Sequence, residues 1–240
     1  MVPQLLDAER IPSVELPDES PRIPQLAPEF PDDGLPAAPL EAVLADPLVE
    51  APPADILLLN WYWQEGWSNA VKGVWARKNV LDRLQLARRW LPEPFDFAVF
   101  DAWRPLALQH DLYEHLAKGS VGAIPRGAVA PPTADPAKPP PHLTGGAIDL
   151  TLSWRGRPLA LGTSFDEFGD AAYTAHFEGE PGPVRTLRRL LYWALREQGF
   201  VVLAEEWWHF EYGTRQWAAL CKEPVLYGSI RPASLLDVHG

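Results

Sequence analysis

His142-Leu-Thr-Gly-Gly-Ala-Ile-Asp-Leu-Thr-Leu-Ser-Trp154 starts as a loop and becomes a strand within a few residues. After the Gly145-Gly146 pair, Ala147, Asp149, Thr151 and Ser153 alternate with Ile148, Leu150, Leu152 and Trp154, the two-residue period of a strand. On that spacing Asp149 points away from the more apolar face. A histidine aimed by a loop and a carboxylate on the following strand are two ligands of a hydrolytic metal site. A second stretch, Glu206-Trp-Trp-His209, adds a third ligand and a spare carboxylate. A catalytic zinc takes three nitrogen or oxygen ligands and keeps its fourth position for water, whose pKa it lowers to roughly 7. The inventory therefore predicts one Zn2+ per chain on His142, Asp149 and His209. Glu206, close in sequence to a ligand, is the candidate for the acid that takes the water's proton.

Strand geometry puts a condition on this set. Residues three apart in a regular strand face opposite ways, so Glu206 and His209 reach one ion only if the strand bulges or ends near Trp207 and Trp208. The H-E-x-x-H pattern of helical zinc proteases is absent, which excludes that class. Burying charge in so aromatic a segment is costly unless a metal or partner offsets it.

Outward from these motifs, other elements are legible. Trp75 to Leu91 places Val80, Leu81, Leu84, Ala87, Trp90 and Leu91 on one helical stripe, stopped by Pro92. Phe95 to Phe100 reads as a buried strand leading into Asp101-Ala-Trp-Arg104-Pro105, and Leu106 to Lys118 as a helix ended by Gly119. Ile124 to Pro141 reads as a long loop, Val184 to Gln198 as an amphipathic helix stopped by Gly199, and Phe200 to Tyr212 as a strand. Strands and helices mix without strict alternation, so the expected class is α+β, a central, mainly antiparallel sheet flanked by helices.

Residues 1 to 54 hold twelve prolines and eleven acidic residues against Arg10 and Arg22, with no sustained hydrophobic period. Such a segment cannot offset its ordering entropy with a core of its own. It is expected as an irregular extension, disordered or laid across the domain or a second subunit, with a short helix at Leu40 to Leu48; residues 55 to 240 are expected to form the domain that carries the zinc-type site. An oligomer stays open.

The 240-residue chain is 47% hydrophobic with 11 Trp, ample for a core, and carries a formal charge of −11. That charge argues against nucleic acid or anionic membrane as a partner and favours a small ligand. The single cysteine, Cys221, excludes an internal disulfide and a thiolate zinc cluster. The amino terminus lacks the basic start and apolar run of an export signal, and no stretch has 18 unbroken apolar residues, so a cytoplasmic protein is expected.

Arg104, at the end of an apolar strand, is the candidate electrophile, since a guanidinium can steady the oxyanion formed when water adds to a carbonyl. An ordinary ion pair with Asp101 is its plainer role. Asp166 could hold a substrate ammonium or cap a turn. His110 and His115 fall on an exposed helix side, His176 in a polar loop and His239 at the terminus.

With these residues in view the chain resembles the D-alanyl-D-alanine dipeptidases of the vancomycin-resistance type, zinc enzymes sharing a fold with D-Ala-D-Ala carboxypeptidases and the hedgehog signalling domain. The matching pieces, in the family's order, are Phe100-Asp-Ala-Trp-Arg104-Pro, His142 through Asp149-Leu-Thr-Leu, Leu161-Gly-Thr-Ser-Phe-Asp166, and Gly199-Phe200 followed by Glu206-Trp-Trp-His209. The resemblance implies zinc on His142, Asp149 and His209, Glu206 as general base and then acid, Arg104 on the oxyanion, and Asp166 near the substrate amino group. A family tyrosine near the domain start aligns with Trp61, and Trp61 and Trp208 join Asp166 as candidate substrate contacts. The family usually has serines before the first zinc histidine; Pro140 and Pro141 stand there instead, which removes those hydroxyl contacts. The expected activity is hydrolysis of D-Ala-D-Ala or a similar small dipeptide. A peptidoglycan carboxypeptidase or other small-amide hydrolase, and a zinc-stabilised binding module without turnover, are the alternatives.

Overall fold

The computed structural model describes residues 3–28, 30–40, 46–53, 56–119 and 129–232. Its backbone is built around β6 (Ala147–Trp154), whose neighbours explain where the candidate site lies. Along one edge β6 pairs antiparallel with β5 (Phe95–Asp101). Its other edge is shared: β7 (Arg157–Ala160) pairs near Ser153 and Trp154, and β9 (His209–Glu211) pairs at Ala147 to Asp149. In consequence Asp149 stands opposite Asp101 on one side and His209 on the other. The register of β5 shifts between Val99 and Asp101, an irregularity of the kind that re-aims side chains beside active sites.

The sheet is mixed, which corrects the expectation of a mainly antiparallel one. β1 (Leu6–Asp7) runs parallel to β7, and β3 (Leu57–Leu58) runs parallel to β5. Between β3 and β5 lie α1 (Trp61–Glu65), β4 (Trp75–Arg77) and α2 (Lys78–Arg88), and a connection of that length allows a parallel return that a hairpin cannot. β1 comes from a segment with no strand period, so its pairing could not be read from the sequence. β8 (Val201–Val202) pairs with β9 and completes the seven strands this sheet has among the described residues.

The described residues before position 54 pack against the rest of the fold. Leu6, Ala8, Ile11, Ile23 and Ala38 are buried in the common core, and β2 (Leu48–Glu50) pairs with β4. Of the helix expected over Leu40 to Leu48, residues 41–45 lie outside the described residues and Leu48 begins a strand. The helix expected from Trp75 starts three residues later, because Trp75 to Arg77 are held extended by β2; it ends at Arg88, and Trp90 is exposed rather than on the buried stripe.

α3 (Leu106–Gly119) and α4 (Pro183–Arg196) match their expected spans closely. Pro183 suits the first turn of α4, where no intrahelical N–H is needed, and Gly199 takes the positive φ that ends the segment. β6 is buried on both faces and Thr151 and Ser153 are as hidden as Leu150, so its alternation does not mark a wet side. Among the described residues no helix is long and apolar enough to cross a membrane.

Candidate metal centre

His142 sits in a tight 3-10 turn, Pro141–Thr144, entered through Pro140. Gly145 closes the turn with φ 71°, a left-handed conformation that a side chain would strain. Buried Arg77 locks this turn in place: its Nε donates to the Thr144 carbonyl and its backbone N–H to Gly145, at 2.8 and 2.9 Å. His142 Nδ1 donates to the carbonyl of Ala102 at 2.6 Å, which leaves Nε2 without its proton and facing inward.

The expected strand over Phe200 to Tyr212 is broken into β8 and β9, with a turn between them. Glu206 and the two tryptophans lie in that turn, and the His209 N–H donates to the Glu206 carbonyl at 3.3 Å. The strand end required near Trp207 and Trp208 is thus present, and Glu206 and His209 line one pocket together with His142, Asp149, Arg104 and Asp166. Glu206 is 6% exposed.

His209 donates from Nε2 to Glu211 Oε1 at 2.9 Å, and Thr214 Oγ1 donates to the other oxygen of Glu211. Since both imidazoles spend their N–H groups on outer partners, His142 Nε2 and His209 Nδ1 meet as acceptors 3.2 Å apart. Asp149 brings Oδ1 to 2.9 Å from His209 Nδ1 and Oδ2 to 3.3 Å from His142 Nε2. Three converging lone-pair donors repel unless a cation joins them. Tetrahedral ligands with bonds of about 2.0–2.1 Å are separated by about 3.3 Å, so the set fits a zinc ion in spacing as well as in chemistry. Among the described residues, His142, Asp149 and His209 form the cluster of metal-ligand type.

Charge points the same way. Burial opposes ionisation of Asp149, yet positive charge and hydrogen-bond donation on the His142 and His209 side outweigh it and hold the carboxyl well below the usual carboxylate range; with both rings neutral, as their outer hydrogen bonds imply, a bound cation would supply that charge. Burial pushes Asp101 up, against the pull of Arg104. Burial likewise pushes Asp166 up to about 7, although it accepts a hydrogen bond from Tyr62 Oη at 2.7 Å. Arg104 is kept firmly charged: burial works against it, but Tyr62, Asp101, Asp149 and Asp166 surround it and prevail. One buried guanidinium among so many carboxylates leaves room for a further positive charge.

Arg104 does make the expected pair with Asp101, Nε to Oδ2 at 2.9 Å, and its NH1 donates to Gln109 at 3.0 Å. The remaining NH2 reaches Tyr62 Oη at 3.3 Å and Asp149 Oδ2 at 3.4 Å, which turns the guanidinium face toward the metal-ligand cluster. Asp166 is carried on a loop held from α4, where Arg188 donates to the carbonyls of Leu161, Ala171 and Tyr173.

Two candidate substrate contacts lie elsewhere. Trp61 is packed edge-on against Phe100 and Phe165 in the core, and its neighbour Tyr62 lines the pocket instead. Adjacent residues on a helix point about 100° apart, so a one-residue misassignment within Asn60-Trp-Tyr-Trp exchanges the buried side for the open one. Trp208 is fully buried against Phe165, Phe168 and Trp207 and supports the Asp166 loop from beneath. Tyr62, Gln109 and Glu211 were missed by sequence reasoning. For Glu211 a signal existed, since it sits two positions beyond His209 on the same strand face.

Glu211 fixes the ring of His209, so Glu211→Ala should weaken the binding of a metal ion at this cluster about 10- to 100-fold, read by competition with a chelator. Unchanged affinity would show that the ring is held by other contacts.

A model of the D-Ala-D-Ala dipeptidase family matches residues 92–223. That span contains Arg104, His142, Asp149, Asp166, Glu206 and His209, while Tyr62 precedes it. A D-alanyl-D-alanine dipeptidase of Synechocystis sp. (strain ATCC 27184 / PCC 6803 / Kazusa) is 32% identical over 174 residues, which is 59% of this chain and 70% of that protein. A D-alanyl-D-alanine dipeptidase of Escherichia coli (strain K12) is 41% identical over 71 residues, 29% of this chain and 36% of the relative. Among solved structures, the LdcB LD-carboxypeptidase aligns over 79% of each chain with a TM-score of 0.41 and 16% identity, a distant likeness.

Proposed function

Because the chain belongs to the D-Ala-D-Ala dipeptidase family of peptidases, we infer that it is a zinc dipeptidase whose ion is held by His142, Asp149 and His209 and whose substrate is D-Ala-D-Ala or a similar small dipeptide. What supports the zinc reading is one observation: two imidazole acceptors and a carboxylate, spaced 2.9 to 3.3 Å, open into the pocket that also holds Glu206 and Arg104. The finer fold assignment, the one shared with D-Ala-D-Ala carboxypeptidases and the hedgehog signalling domain, and the cytoplasmic location belong to the same proposal.

Zinc bound there supplies Lewis acidity, polarising the scissile carbonyl and letting water lose a proton near neutral pH. Glu206 accepts that proton as water adds to the carbonyl carbon and delivers it to the leaving amine as the C–N bond breaks. Arg104, already oriented by Asp101 and Gln109, presents NH2 to the carbonyl oxygen as it gains negative charge; its fixed geometry avoids reorganisation at that moment. Asp166, with Tyr62 donating to it, receives the substrate ammonium, whose charge would restore the ionised form of a carboxyl that burial pushes to about 7.

The test is a panel of free D-Ala-D-Ala and muramyl peptides given to the zinc-loaded chain. D-Alanine should be released from the dipeptide and the longer chains spared. Release from muramyl peptides alone would favour a carboxypeptidase, and no hydrolysis of any dipeptide would favour the binding module.

A further inference from the structure

Gln109 joins Arg104 to the loop that leads to His142, and it does so through the two ends of one amide. It lies in the first turn of α3, where its N–H donates to the Pro105 carbonyl at 3.1 Å, and it is buried. Its Oε1 accepts from Arg104 NH1 at 3.0 Å, and its Nε2 donates to the carbonyl of Ala130 at 2.6 Å. Val129, Ala130 and Gln109 itself line the catalytic pocket. Among the described residues, the Gln109–Ala130 bond is the hydrogen bond that fastens the stretch 129–134 to the body of the fold.

The chemistry of its partners leaves this amide one orientation. A guanidinium only donates and a carbonyl only accepts, so the amide oxygen must face Arg104 and the nitrogen Ala130. Each bond therefore depends on the other. Once Ala130 moves away, nothing holds Nε2, and an amide free to turn offers Arg104 a donor as readily as an acceptor. With NH1 released, the guanidinium keeps Asp101 on Nε, and NH2 loses its fixed line into the pocket. The pocket measures about 30 Å³, so a small shift of one wall is felt by whatever fills it.

We propose that Gln109 is a positioning residue that couples the seating of the Ala130 wall on the substrate to the aim of Arg104, so that the oxyanion donor is correctly directed only when that wall is in place. The catalytic consequence rests on the dipeptidase reading above, whereas the coupling itself rests on the two hydrogen bonds. A substrate that fills the space beside Ala130 then gains in kcat as well as in binding, because the same contact sets the donor.

The experiment sets two variants against each other on D-Ala-D-Ala with the zinc-loaded chain. Gln109→Leu removes both bonds, so kcat should fall about 10- to 100-fold, the cost of a misplaced reacting group, and KM should rise. Gln109→Glu presents an acceptor to Arg104 whichever way it turns but, ionised, offers Ala130 no proton, so it separates the two halves. There KM should rise about five- to tenfold, the value of roughly one hydrogen bond, while kcat falls about fivefold less than in the leucine variant. A side chain that merely filled space would lose kcat alike in both variants; that result, or a leucine variant equal to its parent, overturns the proposal. Crystal structures of the zinc-loaded variants and parent in one crystal form supply an arm independent of turnover. In Gln109→Leu both Ala130 and the NH2 of Arg104 should move by about 1 Å or more, and in Gln109→Glu Ala130 alone. An Arg104 that keeps its place in Gln109→Leu would end the coupling and leave the dipeptidase intact. The predicted movements in a chain that does not hydrolyse D-Ala-D-Ala would end the dipeptidase reading and leave the coupling.

Discussion

Glu206→Gln should keep its full complement of zinc and lose turnover by about 10²- to 10⁴-fold, the range that a positioned general acid–base group contributes. The amide has nearly the shape of the carboxylate, so the turn between β8 and β9 should form as before and His209 should stay in register with Asp149. What disappears is a base able to take the proton of the attacking water and return it to the leaving amine. KM should change much less than kcat, because the missing interaction belongs to the transition state. Zinc content by elemental analysis and steady-state kinetics on D-Ala-D-Ala check the pair of claims. Retained turnover would move the base elsewhere, and loss of zinc would make Glu206 a ligand.

His209→Ala should fail earlier, at metal binding. It removes one of three donors and strands Glu211, which is buried and has Thr214 as its other partner. Zinc content at equal total metal should fall to background, activity should fall with it, and the rise in melting temperature on adding zinc should vanish, since a metal that binds only the folded state stabilises it by mass action. The unaltered chain should show that rise. A His209→Ala protein that binds zinc as well as its parent would remove His209 from the ligand set.

How much of this site could be read in advance depended on whether a residue carries its chemistry by itself. His142, Asp149, Glu206 and His209 stood out because ligand-type residues are out of place in proline-rich and aromatic surroundings. The partners that aim them did not stand out. Glu211 and Gln109 look like ordinary strand and helix polar residues until the fold sets them against His209 and Arg104. Tyr62 was missed by one position because three aromatics in a row give no sign of which faces the cavity.

The same distinction holds for the fold. α3 and α4 have apolar stripes at helical spacing and short punctuation by Pro or Gly, so their limits were legible. The extended start of Trp75 to Arg77 was not, since its conformation comes from pairing with Leu48 to Glu50 far away in sequence. β1 and the buried Leu6, Ala8 and Ile11 come from a segment too rich in proline and acid to form a core alone; it is ordered by the surface already present.

The central claim, one zinc held by two imidazoles and a carboxylate, is tested most directly by X-ray absorption at the zinc edge on the metal-loaded chain. The account predicts one zinc per chain in a shell of nitrogen and oxygen at about 2.0–2.1 Å, two of the scatterers being imidazole, with no sulfur. A shell containing sulfur at about 2.3 Å, or fewer than two imidazoles, would contradict it.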